Sequence, residues 1–160
     1  MKYANILVPY DRSESAKHAL ATALEIAANR SDSCVTVFFA SPVPEFESAQ
    51  FLAAENMSGV MRIPPDELAA MQKEYVDYER GLLVDDLKDF VGEDILASDD
   101  AFKVAVGQGK PSKAILDYAQ RNEVDLIVMG CRGLNAVAGM LGSVSYAVLR
   151  NASCPVLVEK

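Results

Sequence analysis

Short apolar runs alternate along this chain with stretches of helical periodicity, and this alternation limits the possible folds more than any other feature. Three runs, at residues 6–10, 34–40 and 125–129, are almost continuously apolar, as parallel strands covered on both faces are. The run at 102–106 alternates in polarity, which predicts an edge strand, and a last run at 155–158 closes the chain. The order predicts an α/β protein with a doubly wound parallel sheet, right-handed crossovers and helices on both faces.

Four helices are predicted between these strands. Ser13 is a suitable N-cap for the first, Pro111 a suitable first residue for the third, and Gly142-Ser143 opens the fourth. The second helix is the longest, with Pro64-Pro65-Asp66 at its start and Gly92 as its C-terminal stop. Its apolar stripe, tyrosines included, is expected to face the core: Leu68, Met71, Tyr75, Tyr78, Leu82, Leu83, Leu87 and Phe90.

The segment at about 41–63 has no clear period and contains Pro42, Pro44 and Gly59. It is expected to form a long loop. Connections of this length are uncommon in compact domains and are often lids or insertions. Both a lid over a site and an insertion with no binding role fit the sequence.

Length and charge exclude several classes of function. A chain of 160 residues fits one domain, 1–160. Its net charge is −8, with 15 basic residues scattered among 23 acidic ones, which argues against nucleic-acid binding. No run approaches the ~20 apolar residues that a transmembrane helix needs, so no membrane insertion is expected. The N-terminus does not resemble a signal peptide, and the expected location is the cytoplasm.

The three cysteines do not predict a disulfide framework or a zinc site, because they are odd in number and widely spaced. Cys34 and Cys154 adjoin apolar strands and are expected to be buried and unreactive. Cys131 lies in a glycine-rich loop, where an exposed reactive thiol and a residue with only a structural role are both possible.

That loop is the best candidate for a binding site. The strand at 125–129 runs into Gly130-Cys-Arg-Gly133, and Gly142-Ser143 opens a helix after eight further residues. Glycines let the backbone approach a phosphate, and a helix N-terminus offers unpaired N–H groups to it. We expect the N–H groups at 142–144 and the hydroxyls of Ser143 and Ser145 to bind phosphate oxygens, with Arg132 adding charge. A GxxG alone is a common turn pattern, but a strand before it and a helix after it favour phosphate binding.

Asp11 is the second candidate, because it directly follows the first strand and precedes the first helix. Its carboxylate is able to accept hydrogen bonds from ribose hydroxyls, or to stabilise the positive end of the helix. Ligands of doubly wound sheets lie beyond the carboxyl ends of the strands, where the strand order reverses. Asp11 and the glycine loop are therefore expected to be neighbours.

Other known sites are absent from the sequence. It contains no GxxxxGK[ST] phosphate loop and no GxSxG nucleophile motif. His18, the one histidine, lies on the predicted first helix and is expected to be an ordinary surface or core-margin residue. A phosphoacceptor receiver domain would need paired acidic residues after the first strand, where this chain has Asp11 alone.

Several motifs together resemble the universal stress protein family over nearly the whole chain. They are Val8-Pro-Tyr-Asp-Arg-Ser13, Gly107-x-Gly-x-Pro111, Asp125-Leu-Ile-Val-Met-Gly130, Gly142-Ser-Val-Ser145 and Cys154-Pro-Val-Leu-Val158.

The resemblance implies a five-stranded, Rossmann-like sheet in the order 3-2-1-4-5 and a homodimer paired through the last strand, 155–158. In one branch of the family, marked by G-x2-G-x9-G-[S/T], it also implies ATP bound between the first and fourth strands. Here the second spacer, 134–141, has eight residues rather than nine. Arg12 stands where the family usually has glycine.

By position, the resemblance places adenine and ribose on Pro9, Tyr10 and Asp11, with Phe39 flanking the base. Mg²⁺ would accompany ATP, AMP or ADP by bridging phosphate oxygens, because no carboxylate cage is visible. The full set of candidate nucleotide-binding residues is Pro9, Tyr10, Asp11, Phe39, Met129, Gly130, Arg132, Gly133, Gly142, Ser143, Val144 and Ser145.

The leading hypothesis is thus a cytoplasmic, dimeric protein that senses or signals stress through a bound adenine nucleotide. One alternative keeps the fold and the dimer but makes the protein an interaction module that does not depend on nucleotide. Another is a slow ATPase, or a protein that phosphorylates itself on Ser143 or Ser145. The sequence shows no general base for rapid turnover.

Overall fold

The computed structural model describes residues 3–28, 32–41, 64–96, 100–131 and 141–160. Of the segment expected to be a long loop, Ser41 is described and ends the second strand, while residues 42–63 lie outside the described ranges. The strands are β1 Asn5–Pro9, β2 Cys34–Ser41, β3 Phe102–Gln108, β4 Leu126–Gly130 and β5 Val156–Glu159. The helices are α1 Glu14–Ala28, α2 Pro65–Val91, α3 Glu93–Leu96, α4 Pro111–Arg121 and α5 Ser143–Asn151.

The five strands form one parallel sheet in the order β3-β2-β1-β4-β5, which confirms the expected fold and strand order. β1 lies at the centre, between β2 and β4. Its residues Ile6 and Leu7 pair with Leu126 and Ile127, while Pro9 pairs with Phe38. The predicted strands are correct in number and order, and each boundary lies within two residues of the observed one.

Alternate residues of the central strand face two separate cores, as expected for a sheet covered on both sides. Ile6 and Val8 pack with α1 and with the C-terminal part of α2. Leu7 packs instead with α4 and α5, through residues such as Ile115 and Val148. Because both faces are covered, the carboxyl-terminal edge of the sheet is the natural place for polar functional groups.

The long helix α2 packs on the sheet only through its C-terminal turns. Leu83, Leu87 and Val91 are buried there, and no described side chain of α2 before Leu83 is fully buried. The expectation that the whole apolar stripe faces the core was therefore wrong for four exposed residues: Met71, Tyr78, Leu82 and Phe90. Residues at spacings of three and four share a face, but the spacing alone does not say which face meets the sheet.

The end of α2 is specified locally. Gly92 has φ +87°, a left-handed conformation that suits glycine, and its N–H donates to the carbonyl of Lys88 at 3.2 Å. The predicted stop at Gly92 is confirmed. The short helix α3 that follows was not anticipated from the sequence. Within the described ranges, no helix is both long and apolar enough to cross a membrane.

Candidate functional site

The carboxyl ends of β1 and β4 lie side by side, which brings the two sequence-predicted parts of the site together. The register pairs Ile6 with Leu126 and Leu7 with Ile127. Continued to the ends of the strands, it places Pro9 beside Met129 and Tyr10 beside Gly130. The turn after β1 carries Asp11, and the segment after β4 carries Cys131, so both segments leave the sheet at the reversal of strand order.

The turn after β1 is fixed by two short polar contacts. Asp11 Oδ1 accepts a hydrogen bond from the Ser13 N–H at 3.1 Å, and Ser13 Oγ accepts one from the Ala16 N–H at 3.2 Å. Ser13 is thus the N-cap of α1, as the sequence predicts. One carboxylate oxygen of Asp11 holds the turn, and that carboxylate has lone pairs left for further donors.

Arg12, between these two residues, adopts a backbone conformation that is uncommon for its type. Its φ is +67°, in the left-handed region, which costs an L-residue other than glycine about 1–2 kcal/mol. Its guanidinium lies over the ring of Phe39, with 5.5 Å from Cζ to the ring centroid. Its Nε lies 3.3 Å from Oδ2 of Asp86 on α2. Arg12 therefore joins the ends of β1 and β2 to α2.

Gly130 is the point where β4 comes closest to α1. A Cβ atom placed on this residue would lie 2.8 Å from the carbonyl carbon of Ser15. Backbone cannot move aside as the end of a flexible side chain can, so a larger residue here would push the two elements apart. Gly130 thus allows the start of α1 to approach the end of β4.

The first residue after β4, Cys131, forms two hydrogen bonds through its main chain. The N–H of Cys131 donates to the carbonyl of Glu159 in β5 at 2.6 Å, and its own carbonyl accepts from the N–H of Gly142 at 2.7 Å. The Ser145 hydroxyl donates to the carbonyl of Gly130 at 2.9 Å. These bonds close the loop at its base and dock the start of α5 on the end of β4.

The first turn of α5 presents donors at this edge of the sheet. Gly142 is the N-cap, with no side-chain capping bond, and the first intrahelical bond runs from Tyr146 N–H to the Gly142 carbonyl at 2.8 Å. The N–H groups of Ser143, Val144 and Ser145 have no acceptor among the described residues. Ser143 is exposed, and Val144 is half-buried. Such a helix start suits an anion.

Two of the predicted residues contribute main chain rather than side chain to this edge. The side chain of Tyr10 is 3% exposed and packs in the core beneath α1 and α2, while its N–H donates to the Phe38 carbonyl at 2.9 Å. Burial, with a smaller contribution from the charge of Asp86, raises the pKa of the Tyr10 phenol. Met129 is buried in the opposite core.

Arg132 and Gly133, also predicted as site residues, lie outside the described residues, as does most of the eight-residue spacer. The Cys131 side chain is buried, while Cys34 and Cys154 are half-buried, so the expectation that these last two are buried was wrong. His18 is exposed on α1. Among the described residues, no three His, Cys, Asp or Glu side chains cluster as metal ligands.

Sequence reasoning missed Ser15 and Asp86. Ser15 follows the N-cap by two residues, a position that carries no motif, and its importance comes from the approach of Gly130. Asp86 is one of several acidic residues on α2, and nothing in the local sequence distinguishes it. Only the packing of α2 on the sheet shows that it meets Arg12.

Two relatives match almost the full length of the chain. A universal stress protein from Thermus aquaticus, encoded in the QAH/OAS sulfhydrylase 3′ region, is 32% identical over 159 residues and is covered to 99%, as is this chain. Universal stress protein Sll1388 from Synechocystis is 33% identical over 161 residues, which covers 99% of this chain and 98% of the relative.

Solved structures show the same fold. A universal stress protein crystallised in complex with cAMP superimposes with a TM-score of 0.63, at 23% identity, over 100% of this chain and 99% of that one. The sequence model of the universal stress protein family matches residues 2–160. With this match and two relatives above 30% identity over nearly their full lengths, the chain belongs to the universal stress protein family.

Proposed function

We propose that this protein binds an adenine nucleotide, preferably ATP, across the carboxyl ends of β1 and β4, and that the bound nucleotide is its signal in a stress response. The observation that carries the proposal is the first turn of α5. Its three N–H groups, at Ser143 to Ser145, have no acceptor in the described structure, and Ser145 docks this turn on the end of β4, the strand next to the one that Asp11 follows. A phosphate chain at the helix start and a ribose at Asp11 satisfy these N–H groups and the Asp11 carboxylate.

In this proposal, the phosphates are held mainly by the main chain. The N–H groups of Ser143 and Val144 and the exposed Ser143 hydroxyl are the donors, while the Ser145 hydroxyl keeps α5 docked on Gly130. Gly142, whose own N–H donates to Cys131, lets the main chain approach the ligand. Arg132 and Gly133, which lie outside the described residues, are further candidates for contacts with the phosphates on the basis of the sequence. A divalent cation such as Mg²⁺ is bound through the phosphates.

The nucleoside lies on the β1 and β2 side of the site. The Asp11 carboxylate accepts hydrogen bonds from the ribose hydroxyls, and the main chain of Pro9 and Tyr10 contacts the base. Met129 packs beneath this surface. The structural neighbour bound to cAMP has the same fold and supports an adenine nucleotide as the ligand. The cytoplasmic location expected from the sequence is part of the same proposal.

The decisive experiment is isothermal titration of the purified protein with ATP and Mg²⁺. The same titration is then repeated on a variant that carries an added negative charge at the proposed phosphate site. Ser143→Glu puts a carboxylate on the first turn of α5, where it stabilises the helix dipole but repels a phosphate. We expect the protein to remain folded and to lose at least roughly tenfold in affinity for ATP, which corresponds to about 1.4 kcal/mol.

Ser153→Glu is the matched control, because it adds the same charge at an exposed position after α5. Its affinity for ATP should equal that of the wild type. Absence of heat with ATP, ADP and AMP for the wild-type protein would refute nucleotide binding. Equal losses in the two variants would show that net charge, and not the helix start, is responsible.

We also propose a homodimer in which β5 pairs with β5 of a second copy. β3 and β5 are the two edge strands of the sheet, and they differ in how well they are protected against pairing with another strand. β3 carries an exposed lysine, Lys103, which is a common guard of an edge strand, whereas Val156, Leu157 and Val158 of β5 are apolar and half-buried. A second β5 would satisfy its outward N–H and C=O groups and cover these side chains.

A further inference from the structure

We infer that Arg12 is a base-recognition residue: its guanidinium, placed over Phe39 and held by Asp86, is the surface on which the purine of the bound nucleotide stacks. The inference rests on the proposed nucleotide site and adds to it the residue that selects a flat aromatic base. Phe39 then supports the base indirectly, since the cation lies between the ring and the ligand.

The position of Arg12 assigns it to the base and not to the phosphates. The phosphate donors lie at the start of α5, on the face of the sheet covered by α4 and α5. Arg12 extends the other way, to Phe39 at the end of β2 and to Asp86 on α2, and both belong to the opposite face. β1 separates the two groups, so a nucleotide with its phosphates on α5 has its base toward Arg12.

Within the part of the chain that the structure describes, the contacts of Arg12 occupy one face of its guanidinium and its Nε, and leave the other face for a ligand. Phe39 lies beneath the cation: the distance from Arg12 Cζ to the centroid of the Phe39 ring is 5.5 Å, which is within the range of a cation–π interaction. Asp86 takes Nε at 3.3 Å and restricts rotation of the group. The Arg12 side chain remains 39% exposed. A planar cation held in this way stacks well on a second aromatic system, and every nucleobase has such a face.

Structural stabilisation does not account for an arginine at this position. The backbone is left-handed, a conformation that glycine adopts without strain. The ion pair with Asp86 is about 40% exposed on both sides, and such pairs contribute little to stability. Arginine at this position thus carries a backbone cost and contributes little to stability, a combination typical of residues at functional sites.

The test compares Arg12→Gly with Arg12→Lys and with Arg80→Ala, a control that removes an exposed cation from α2. Affinities for adenosine, AMP and ATP are measured by isothermal titration. Arg12→Gly should weaken all three ligands by the same factor, roughly 5- to 10-fold, because the lost contact is with the base. Arg12→Lys should show most of this loss, since it keeps the charge but not the plane, and Arg80→Ala should show none.

The glycine variant is not expected to unfold, because glycine fits the backbone better than arginine, and its melting temperature reports this directly. Affinity of Arg12→Gly equal to or above that of the wild type would overturn the inference and show that the side chain only obstructs the site. A loss that grows with the number of phosphates, or full recovery with lysine, would overturn it in favour of a simple charge contact. Failure of the wild-type protein to bind any of the three ligands refutes the proposed nucleotide site itself, which separates that result from the others.

Discussion

At the scale of single residues, two glycines of this chain differ in whether packing requires them, and the sequence does not show this difference. Gly130 lies against the backbone of Ser15, where no Cβ atom fits. Gly81 lies within α2, and apart from the neighbouring helix backbone no described atom lies within 4 Å of the position where its Cβ would be. One glycine is thus required by packing, and the other reduces the stability of its helix.

This contrast gives a matched pair of variants. Gly130→Ala should lower the free energy of unfolding by about 1–3 kcal/mol, because the methyl group forces α1 away from β4. Gly81→Ala should raise it by roughly 0.5–1 kcal/mol, because alanine favours the helix and restricts the unfolded chain. Urea denaturation of the two variants beside the wild type measures both. Equal effects of the two substitutions would contradict the packing at Gly130.

A second prediction at this scale concerns Tyr10 and alkaline pH. Burial is the main cause that raises the pKa of its phenol above the ordinary value of 10.0. At a pH between 10.0 and the higher pKa of the folded state, the phenol of the unfolded chain has lost its proton while that of the folded chain still holds it. The free energy of unfolding is therefore unaffected by this group below about pH 10 and falls as the pH rises further. Tyr10→Phe should remove this part of the decline.

The measurement is the difference in unfolding free energy between wild type and Tyr10→Phe from pH 8 to pH 11. Subtraction removes the contribution of the lysines, which titrate in the same range. A difference that stays constant over the whole range would show that the buried phenol has no altered pKa.

At the scale of elements, α2 shows where a sequence pattern stops being informative. The recurrence of apolar residues predicted a helix ending at Gly92, and the structure confirms this. The same pattern contains two neighbouring leucines, Leu82 and Leu83, of which Leu82 is 39% exposed and Leu83 fully buried. Only the contact with the sheet decides between them, and that contact depends on residues far away in the sequence.

Truncations on α2 test this assignment. Leu87→Ala should destabilise the protein by about 2–5 kcal/mol, since it leaves a cavity among buried side chains. Leu82→Ala should cost under about 1 kcal/mol, because the side chain is already partly in water. Thermal or urea unfolding distinguishes the two. A larger loss for Leu82→Ala would mean that α2 presents its other face to the sheet.

The site was predictable to the extent that it depends on local chemistry. Asp11, Ser13 and the start of α5 at Ser143 follow from strand-to-helix junctions, whose turn and capping residues are visible in the sequence. The contacts of Gly130 with Ser15 and of Arg12 with Asp86 join residues 115 or 74 positions apart, as the numbering shows. Pairings of this kind depend on how helices settle on the sheet and leave no local pattern.

At the scale of the whole molecule, the two edges of the sheet give a prediction about assembly. The carbonyls of Pro155 and Glu159 accept hydrogen bonds from the N–H groups of Ile127 in β4 and of Cys131 just after it. Alternation along the strand therefore turns the backbone groups of Val156 and Val158 outward. Val158→Lys places a charge on this edge and should shift the protein from dimer to monomer in analytical ultracentrifugation. Lys103→Ala, on the other edge, should leave the dimer unchanged. A wild-type protein that sediments as a monomer would refute the dimer.

The uneven packing of α2 has a consequence for amide hydrogen exchange. Its first 18 residues, 65–82, contain no fully buried side chain among those described, while the last turns hold Leu83, Leu87 and Val91 in the core. Amides near the start of the helix should therefore exchange with deuterium through local opening, and those after Leu83 only through events close to global unfolding. Exchange rates along this one helix would then give two free energies: that of local opening for its first turns, and that of global unfolding for its last turns.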